Sequence, residues 1–173
     1  MLYHASKEKG LTILEPRVST HGIAYVYAIN NRITAACFGA LKDDFDLLMD
    51  EINGIPHLYE CYPHAIEAIY SGKSCSLYEV REEGFLSGKT GWEAELVCEH
   101  KVPVVKEECI SNLLSFLTQA VAEGKCFFHT YSEDRQYQTM LCEELGERIK
   151  FLGLNNAEIK KDPRLKSFID LRE

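Results

Sequence analysis

The chain lacks the features that mark several large classes of protein. No apolar run approaches the roughly 18 residues that a membrane-spanning helix needs. No basic start leads into an apolar signal segment. A G-x-G-x-x-G motif and a P-loop are both missing, which argues against Rossmann and kinase chemistry. We therefore expect a cytoplasmic protein without a membrane partner.

Basic residues are too few and too scattered to form a nucleic-acid surface. Asp and Glu number 27 against 19 Lys and Arg, so the net charge is −8 at pH 7. General nucleic-acid binding depends on clustered cations that neutralise many phosphates. We expect no such binding, although one or two cations with backbone N–H groups suffice for the phosphates of a small ligand.

Paired cysteine spacing is also missing. The seven cysteines are an odd number, and no two of them form a C-x-x-C motif. Zinc sites and disulfide frameworks depend on such spacing, and the histidines are equally scattered, so we expect no metal. We interpret the cysteines as small buried apolar side chains in a reducing compartment. A single nucleophilic cysteine in a hydrolase is a third, separate functional hypothesis.

The sequence does contain a β-rich stretch followed by a helical one. The strand-like segments are Met1–His4, Ile23–Ile29, Ser74–Val80, Glu95–Cys98 and Val102–Val105. Helical periodicity covers Ile110–Ala122 and Tyr137–Leu152, and a short element follows at Leu165–Leu171. We predict an α+β protein of one domain, with a β-rich core over residues 1–108 and a helical extension over 109–173 packed on it.

Two helices are predicted within the β-rich part. Residues Ile33–Leu41 are rich in alanine, and Asn31 or Thr34 can cap the start of that helix. Residues Asp43–Ile52 carry apolar side chains at helical spacing behind acidic residues, which suit the positive end of a helix dipole. The pattern therefore predicts an amphipathic helix over Asp43–Ile52.

The first segment with candidate functional side chains is LYHAS, residues 2–6. His4 stands at the end of a predicted strand, and the small residues Ala5 and Ser6 follow it. A functional histidine there would aim an imidazole N–H at a ligand hydroxyl. Small neighbours let backbone groups approach a flat ring closely.

The other two segments are an aromatic strand and a glutamate strand. Alternation puts Tyr25 and Tyr27 on one face of the strand Ile23–Ile29, where two rings can line a slot for a planar group. Glu95 follows a glycine-containing loop and leads into an apolar strand. A carboxylate at the mouth of a cleft can stabilise positive charge at an anomeric carbon and hold a sugar hydroxyl. Glu93 competes with Glu95 for this role.

In this order, the segments YHAS, YVYA and ELVCEHKVPV resemble the ADP-ribosyltransferase superfamily of the diphtheria-toxin and poly(ADP-ribose) polymerase type. His4-Ala5-Ser6 takes the place of the family's His-Gly-Ser/Thr, with alanine where the family has glycine. Val26-Tyr27-Ala28-Ile29 fits the tyrosine strand, and Glu95-Leu96-Val97 fits the glutamate strand. Phe38, eleven residues after Tyr27, stands where the family has a second aromatic residue. The resemblance covers roughly residues 1–105.

The resemblance implies a fold and a catalytic set. The fold would be a pair of split antiparallel β-sheets with helices packed around them and a helical C-terminal region. NAD⁺ would lie in the cleft as co-substrate, with His4, Tyr27 and Glu95 as the catalytic residues. Glu93-Ala94-Glu95 also has the Glu-x-Glu form of arginine-modifying members, whose first motif begins with arginine rather than histidine.

The resemblance further implies four residues that bind NAD⁺. The backbone of Ala5 would read the nicotinamide carboxamide, and the Ser6 hydroxyl would add a contact to it. Phe38 would stack on the nicotinamide ring opposite Tyr27. Arg17, in the loop after Pro16, is the candidate for the pyrophosphate.

The implied function is NAD-dependent ADP-ribosyl transfer, or NAD⁺ glycohydrolysis, with release of nicotinamide. The acceptor is open among a protein, a nucleic acid and a small molecule. The alternative is a catalytically inactive domain of the same fold that serves as a binding or interaction module. The acidic composition and the alanine at position 5 keep that alternative open.

Overall fold

A computed structural model of the chain describes residues 1–18, 22–43, 45–165 and Phe168. The strands are β1 (Leu2–Ser6), β2 (Ile13–Leu14), β3 (Arg17–Val18), β4 (Ala24–Ile29), β5 (Leu47–Ile52), β6 (Ile55–Glu60), β7 (Cys75–Val80), β8 (Glu95–Cys98), β9 (Val102–Ile110) and β10 (Phe127–His129). The helices are α1 (Arg32–Cys37), α2 (Ala65–Tyr70), α3 (Leu113–Ala122), α4 (Arg135–Phe151) and α5 (Asn156–Ile159), followed by a 3₁₀ turn over Pro163–Leu165.

The larger sheet has seven antiparallel strands. Its order is β2-β9-β7-β1-β4-β3, and β8 also pairs with β4. Alternation along β4 buries Val26 and Ala28 on one face, where they pack with Leu2 and Val80 in one of three core clusters. The opposite face carries Tyr27 and Ile29. Mixed helices and antiparallel strands confirm the predicted α+β class.

The smaller sheet overturns one prediction. Leu47–Ile52, within the segment predicted as the amphipathic helix Asp43–Ile52, is strand β5 and forms an antiparallel hairpin with β6. The turn between them is Asn53-Gly54, and both residues have positive φ. This turn type matches the twist of a hairpin and is favoured by Asn-Gly. The helix prediction was wrong because the turn and the strand pairing outweigh a short helical periodicity.

The predicted helical extension contributes a strand and shares the main core. β10 pairs in parallel with β6 and completes the three-stranded sheet β10-β6-β5. Leu113 and Leu117 of α3 are fully buried in one cluster with Ile29 and Leu77 of the larger sheet. The parts before and after residue 108 are therefore built around the same core.

Three other predicted helices are present as α1, α3 and α4, although α1 ends at Cys37, four residues before the predicted end at Leu41. α1 begins after Asn31, whose side chain accepts hydrogen bonds from the backbone N–H groups of Ile33 and Thr34. Both ends of α4 lie within two residues of the predicted bounds. α3 ends at the predicted residue, Ala122, and begins at Leu113, three residues after the predicted start. The predicted element Leu165–Leu171 lies outside the described residues, apart from Leu165 and Phe168. Across the described ranges, no helix has the length and apolar character to cross a membrane.

A buried carboxylate ties the smaller sheet to its surroundings. Glu60, at the end of β6, is 5% exposed. Its Oε1 accepts from the backbone N–H of Ile66 and its Oε2 from that of Tyr131, both at 2.9 Å. The Glu60 carbonyl accepts from the Tyr137 hydroxyl at 3.0 Å. One residue thereby links β6 to α2, to the segment after β10 and to α4.

We expect Glu60→Gln to lower the free energy of unfolding by about 1–3 kcal/mol. The amide has one acceptor oxygen, so one of the two buried N–H groups would face an NH₂ group instead of an acceptor. Urea unfolding followed by circular dichroism measures the change. The exposed Glu133→Gln is the control, and equal stability of the two variants would contradict this role of Glu60.

Candidate functional site

The larger sheet opens between the neighbouring strands β1 and β4. β1 pairs with β7 along all five residues, but with β4 it has a single register pair, Tyr3 with Ile29. Next to that pair, Nδ1 of His4 lies 2.7 Å from the carbonyl oxygen of Tyr27. A carbonyl oxygen can only accept, so Nδ1 carries the proton and donates. A side chain thus satisfies a backbone carbonyl at the place where the strands separate.

A cavity of about 760 Å³ lies at this opening. Its lining includes His4, Ala5, Tyr27, Phe38 and Glu95, which come from three distant segments of the chain. The volume falls in the range of small-molecule sites, about 300–1,000 Å³. Five of the seven residues singled out in the sequence therefore face one space.

The surroundings of His4 favour its neutral form. Burial lowers the pKa of its imidazole, more strongly than the hydrogen bond to the Tyr27 carbonyl raises it, and the charge of Arg17 lowers it slightly further. With Nδ1–H donated to the protein, Nε2 offers a lone pair. The sequence-based expectation was an N–H aimed at a ligand hydroxyl. The structure instead makes His4 an acceptor for such a hydroxyl.

Strand pairing fixes the position of the candidate glutamate. β8 pairs with β4 so that Glu95 stands opposite Ile29 and Val97 opposite Tyr27. Glu95 is therefore the diagonal neighbour of Tyr27 on the same face of the sheet. Glu93 is exposed and does not line the cavity, whereas Glu95 is half-buried and does. Position favours Glu95 over Glu93.

An aromatic pair forms another part of the lining. Phe38, at the C-terminal end of α1, lies against Trp92 with ring centroids 5.9 Å apart and planes at 45°. Gly39 lets this end of α1 approach β7, since a Cβ there would lie 2.7 Å from Sγ of Cys75. Sequence reasoning missed Trp92, although the only tryptophan of the chain, three residues before Glu95, was a usable signal.

The loop before β8 adds a polar atom to the cavity. Thr90 lines it, and its buried Oγ1 has no hydrogen-bond partner within the described residues. Buried hydroxyls are normally satisfied, so such an atom is available to a ligand. Together with Nε2 of His4 and the carboxylate of Glu95, it gives the cavity polar groups among aromatic rings.

Two of the sequence-predicted residues do not line this cavity. The hydroxyl of Ser6 accepts a hydrogen bond from the backbone N–H of Glu8 at 3.1 Å. Arg17 is exposed and forms a two-pronged ion pair with the carboxylate of Glu8, at 2.9 and 3.1 Å. Neither position supports the contact that the resemblance assigned to it.

The far wall of the cavity comes from β5 and α4. Leu47 and Met49 contribute from β5, and Glu144, Arg148 and Phe151 contribute from one face of α4. Nη1 of Arg148 donates to the carbonyl of Leu47 at 3.2 Å, a contact between residues 101 positions apart. Sequence analysis found no functional signal in α4, because this contact is made only by the folded chain.

A second cavity, of about 920 Å³, contains none of the sequence-predicted residues. Arg164 lines it and pairs with Asp43, Asp46 and Asp162 at 2.6–2.8 Å. These bonds raise the pKa of Arg164 and lower those of Asp43 and Asp162. The network holds the α1–β5 loop to the 3₁₀ turn. These ion pairs therefore have a structural role.

The described part of the chain holds no group of three or more His, Cys, Asp or Glu side chains arranged to bind a metal ion. Nδ1 of His57 and Nε2 of His129 lie 2.9 Å apart, within hydrogen-bond distance of each other. All seven cysteines are unbridged, five of them buried, with Cys142 half-buried and Cys109 exposed. Burial raises the pKa of Cys61 to about 12 and of Cys75 and Cys126 to about 11. These three thiols are poor nucleophiles at neutral pH.

Comparison of the chain with models of protein families, with curated proteins and with solved structures gave no match.

The lowered pKa of His4 predicts a dependence of stability on pH. The folded-state pKa lies below the ordinary value of 6.5, so the unfolded chain binds more protons between the two values. Stability is therefore complete above about pH 6.5 and falls as the pH drops through this window. His4→Gln should flatten the curve below about pH 6.5, by at most about 1.4 kcal/mol per pH unit.

Unfolding by urea at several pH values measures this effect. His129 leaves a residual slope, because burial and the neighbouring His57 lower its pKa as well. The exposed His100→Gln is the matched control and should keep the wild-type curve. An unchanged curve in His4→Gln would show that the imidazole is not held neutral by burial.

Proposed function

We propose that the protein cleaves the nicotinamide–ribose bond of NAD⁺ and transfers ADP-ribose to an acceptor. The observation that supports this most strongly is the lining of one cavity by His4, Ala5, Tyr27, Phe38 and Glu95. The three segments that resemble the ADP-ribosyltransferase superfamily are far apart in the chain, and only folding brings them together. We infer a fold of the same type, in which the opened antiparallel sheet is the cleft for NAD⁺.

The aromatic part of the cavity suits the nicotinamide ring. Tyr27 and Phe38 would hold the ring between them. The ring of Trp92 packs against Phe38 and supports its position. The backbone of Ala5, on the opened edge of β1, would read the carboxamide. Alanine offers the same N–H and C=O groups as glycine, with one methyl group more.

The polar part suits the riboses. Nε2 of His4 accepts a hydrogen bond from a ribose hydroxyl of the adenosine half. Glu95 holds the 2′-hydroxyl of the nicotinamide ribose and places its negative charge beside the anomeric carbon. The histidine and the glutamate thus divide hydroxyl binding and charge stabilisation between them.

The reaction breaks one bond and forms one. The electron pair of the C1′–N bond leaves with nicotinamide, which becomes neutral, and positive charge develops on the ribose ring. The carboxylate of Glu95 stabilises this charge in the transition state. The nucleophilic oxygen or nitrogen of the acceptor then bonds to C1′ and releases its proton to solvent. Water as the acceptor gives hydrolysis to ADP-ribose.

We expect Glu95→Gln to lower nicotinamide release from NAD⁺ at least about 100-fold. The substitution keeps the shape of the side chain and one acceptor oxygen, so the dissociation constant for NAD⁺ should change only a few-fold. Glu93→Gln, two residues away and outside the cavity, is the matched control and should retain wild-type turnover. Chromatography of released nicotinamide and calorimetric titration with NAD⁺ give the two quantities.

The outcomes separate the proposal from its alternative. Equal turnover in Glu95→Gln and wild type would remove Glu95 from the reaction. Binding of NAD⁺ by the wild type without release of nicotinamide would identify the catalytically inactive binding module. No binding of NAD⁺ at millimolar concentration would overturn the proposed function.

A further inference from the structure

Two imidazole rings meet on one face of the smaller sheet. His57 comes from β6 and His129 from β10, and Nδ1 of the first lies 2.9 Å from Nε2 of the second. The two rings are stacked, with centroids 5.1 Å apart and planes at 18°. Phe127 stacks on His57 at 4.8 Å and Tyr59 on His129 at 4.1 Å, so four rings form one row across the two strands. None of these four described side chains lines the candidate cavity.

The contact between the two imidazoles tolerates one added proton but not two. When both rings are neutral, the N–H of one donates to the lone pair of the other. One added proton makes this bond charge-assisted and stronger. A second proton puts an N–H on each of the two facing nitrogens, so no acceptor remains and two cationic rings repel each other. The pair therefore attracts in two of its protonation states and repels in the third.

The groups around the pair oppose the second proton. Burial and the charge of His57 both lower the pKa of His129. Asp50 is the carboxylate that the register of β5 brings opposite His57, and its charge acts on this face, since burial and Asp50 together raise the pKa of Tyr59. From α4 the facing group is Tyr137, an uncharged phenol whose hydroxyl donates to the carbonyl of His129 at 3.2 Å. One carboxylate balances one imidazolium and leaves the second without a counter-charge from β5.

The strand that carries His129 joins the smaller sheet to α4. β10 is an edge strand of three residues, and it pairs only with β6 within the part of the chain that the structure describes. His129 is its last residue, and Tyr137 of α4 donates to the carbonyls of both His129 and Glu60. The imidazole contact therefore lies where the chain leaves the sheet and turns toward α4. Loss of this contact weakens the β6–β10 edge first.

We propose that His57 and His129 form a pH-sensitive contact that holds β10 and the start of α4 to the smaller sheet near neutral pH and releases them in mild acid. This inference does not depend on the proposed function. The lowered pKa of His129 means that the contact is complete above about pH 6.5 and is lost as the pH falls through that lowered value. The release is local, because the buried carboxylate of Glu60 still accepts from the backbone N–H groups of Ile66 and Tyr131. α4 also walls the candidate cavity, so its support changes with pH.

The first test follows the ring nitrogens of the wild-type protein by NMR as the pH is lowered. Coupled sites titrate in steps that belong to the pair, separated by more than about one pH unit. We expect His57 and His129 to show two such shared steps, with the hydrogen bond present after the first and absent after the second. Independent single-step titration of both rings near the ordinary value of 6.5 would overturn the proposal.

The second test measures hydrogen exchange at the β10 amides at about pH 7.5 and about pH 5, corrected for the intrinsic effect of pH on exchange. Protection should fall at least about tenfold in the wild type. In His57→Gln it should fall less than about twofold, because the amide can donate to the neutral ring of His129 or accept from the charged one. The exposed His100→Gln is the matched control and should behave as the wild type.

The location of the change decides the outcome. An equal fall in wild type and His57→Gln would overturn the proposal, as would a fall of the same size in β7, which would show a general loss of stability. His129→Gln gives the same test from the other strand if His57→Gln does not fold. Thermal unfolding of each variant shows which of them are folded.

Discussion

The hydrogen bond from His4 to the carbonyl of Tyr27 is the contact on which the cavity depends. Two adjacent strands of a sheet cannot separate inside a protein without leaving polar backbone groups to be satisfied in another way. Here the imidazole of His4 donates to the carbonyl of Tyr27, which lies beside the single register pair of β1 and β4. The carbonyl of Tyr27 therefore has a donor at the point where the sheet opens.

The same bond sets the chemistry of the histidine. Donation from Nδ1 fixes the tautomer, and burial keeps the ring uncharged by lowering its pKa. Nε2 is then an acceptor, and a neutral ring beside the cleft adds no positive charge that would compete with a developing oxocarbenium ion for the carboxylate of Glu95. Under the proposed function, this one hydrogen bond allows the cleft to open. Burial keeps the histidine uncharged, so the negative charge of Glu95 acts on the substrate.

How well the sequence predicted each feature depended on how far apart in the chain the interacting residues lie. The spacing from Tyr27 to Phe38 spans one strand and one helix, so local structure alone brings the two residues to one space. Glu95 was found because it begins a strand, but its advantage over Glu93 came from pairing with β4. The helix prediction over Asp43–Ile52 was wrong because the Asn53-Gly54 turn, which directly follows this segment, specifies a hairpin. Arg148 was unpredictable, since a carbonyl 101 residues away orients it.

The charge of the whole chain bears on ligand choice less than the placement of a few groups. A net charge of −8 is spread over the surface, and at physiological ionic strength surface charges are screened beyond about 8 Å. An extended polyanion would meet that surface along its length and be repelled. The cavity itself is lined by two cations, Lys42 and Arg148, and three carboxylates, Asp43, Glu95 and Glu144. A ligand inside it experiences these nearby groups far more strongly than the charges on the distant surface. The acidic composition that argues against nucleic acid as a general partner therefore does not decide which small ligand the cavity takes.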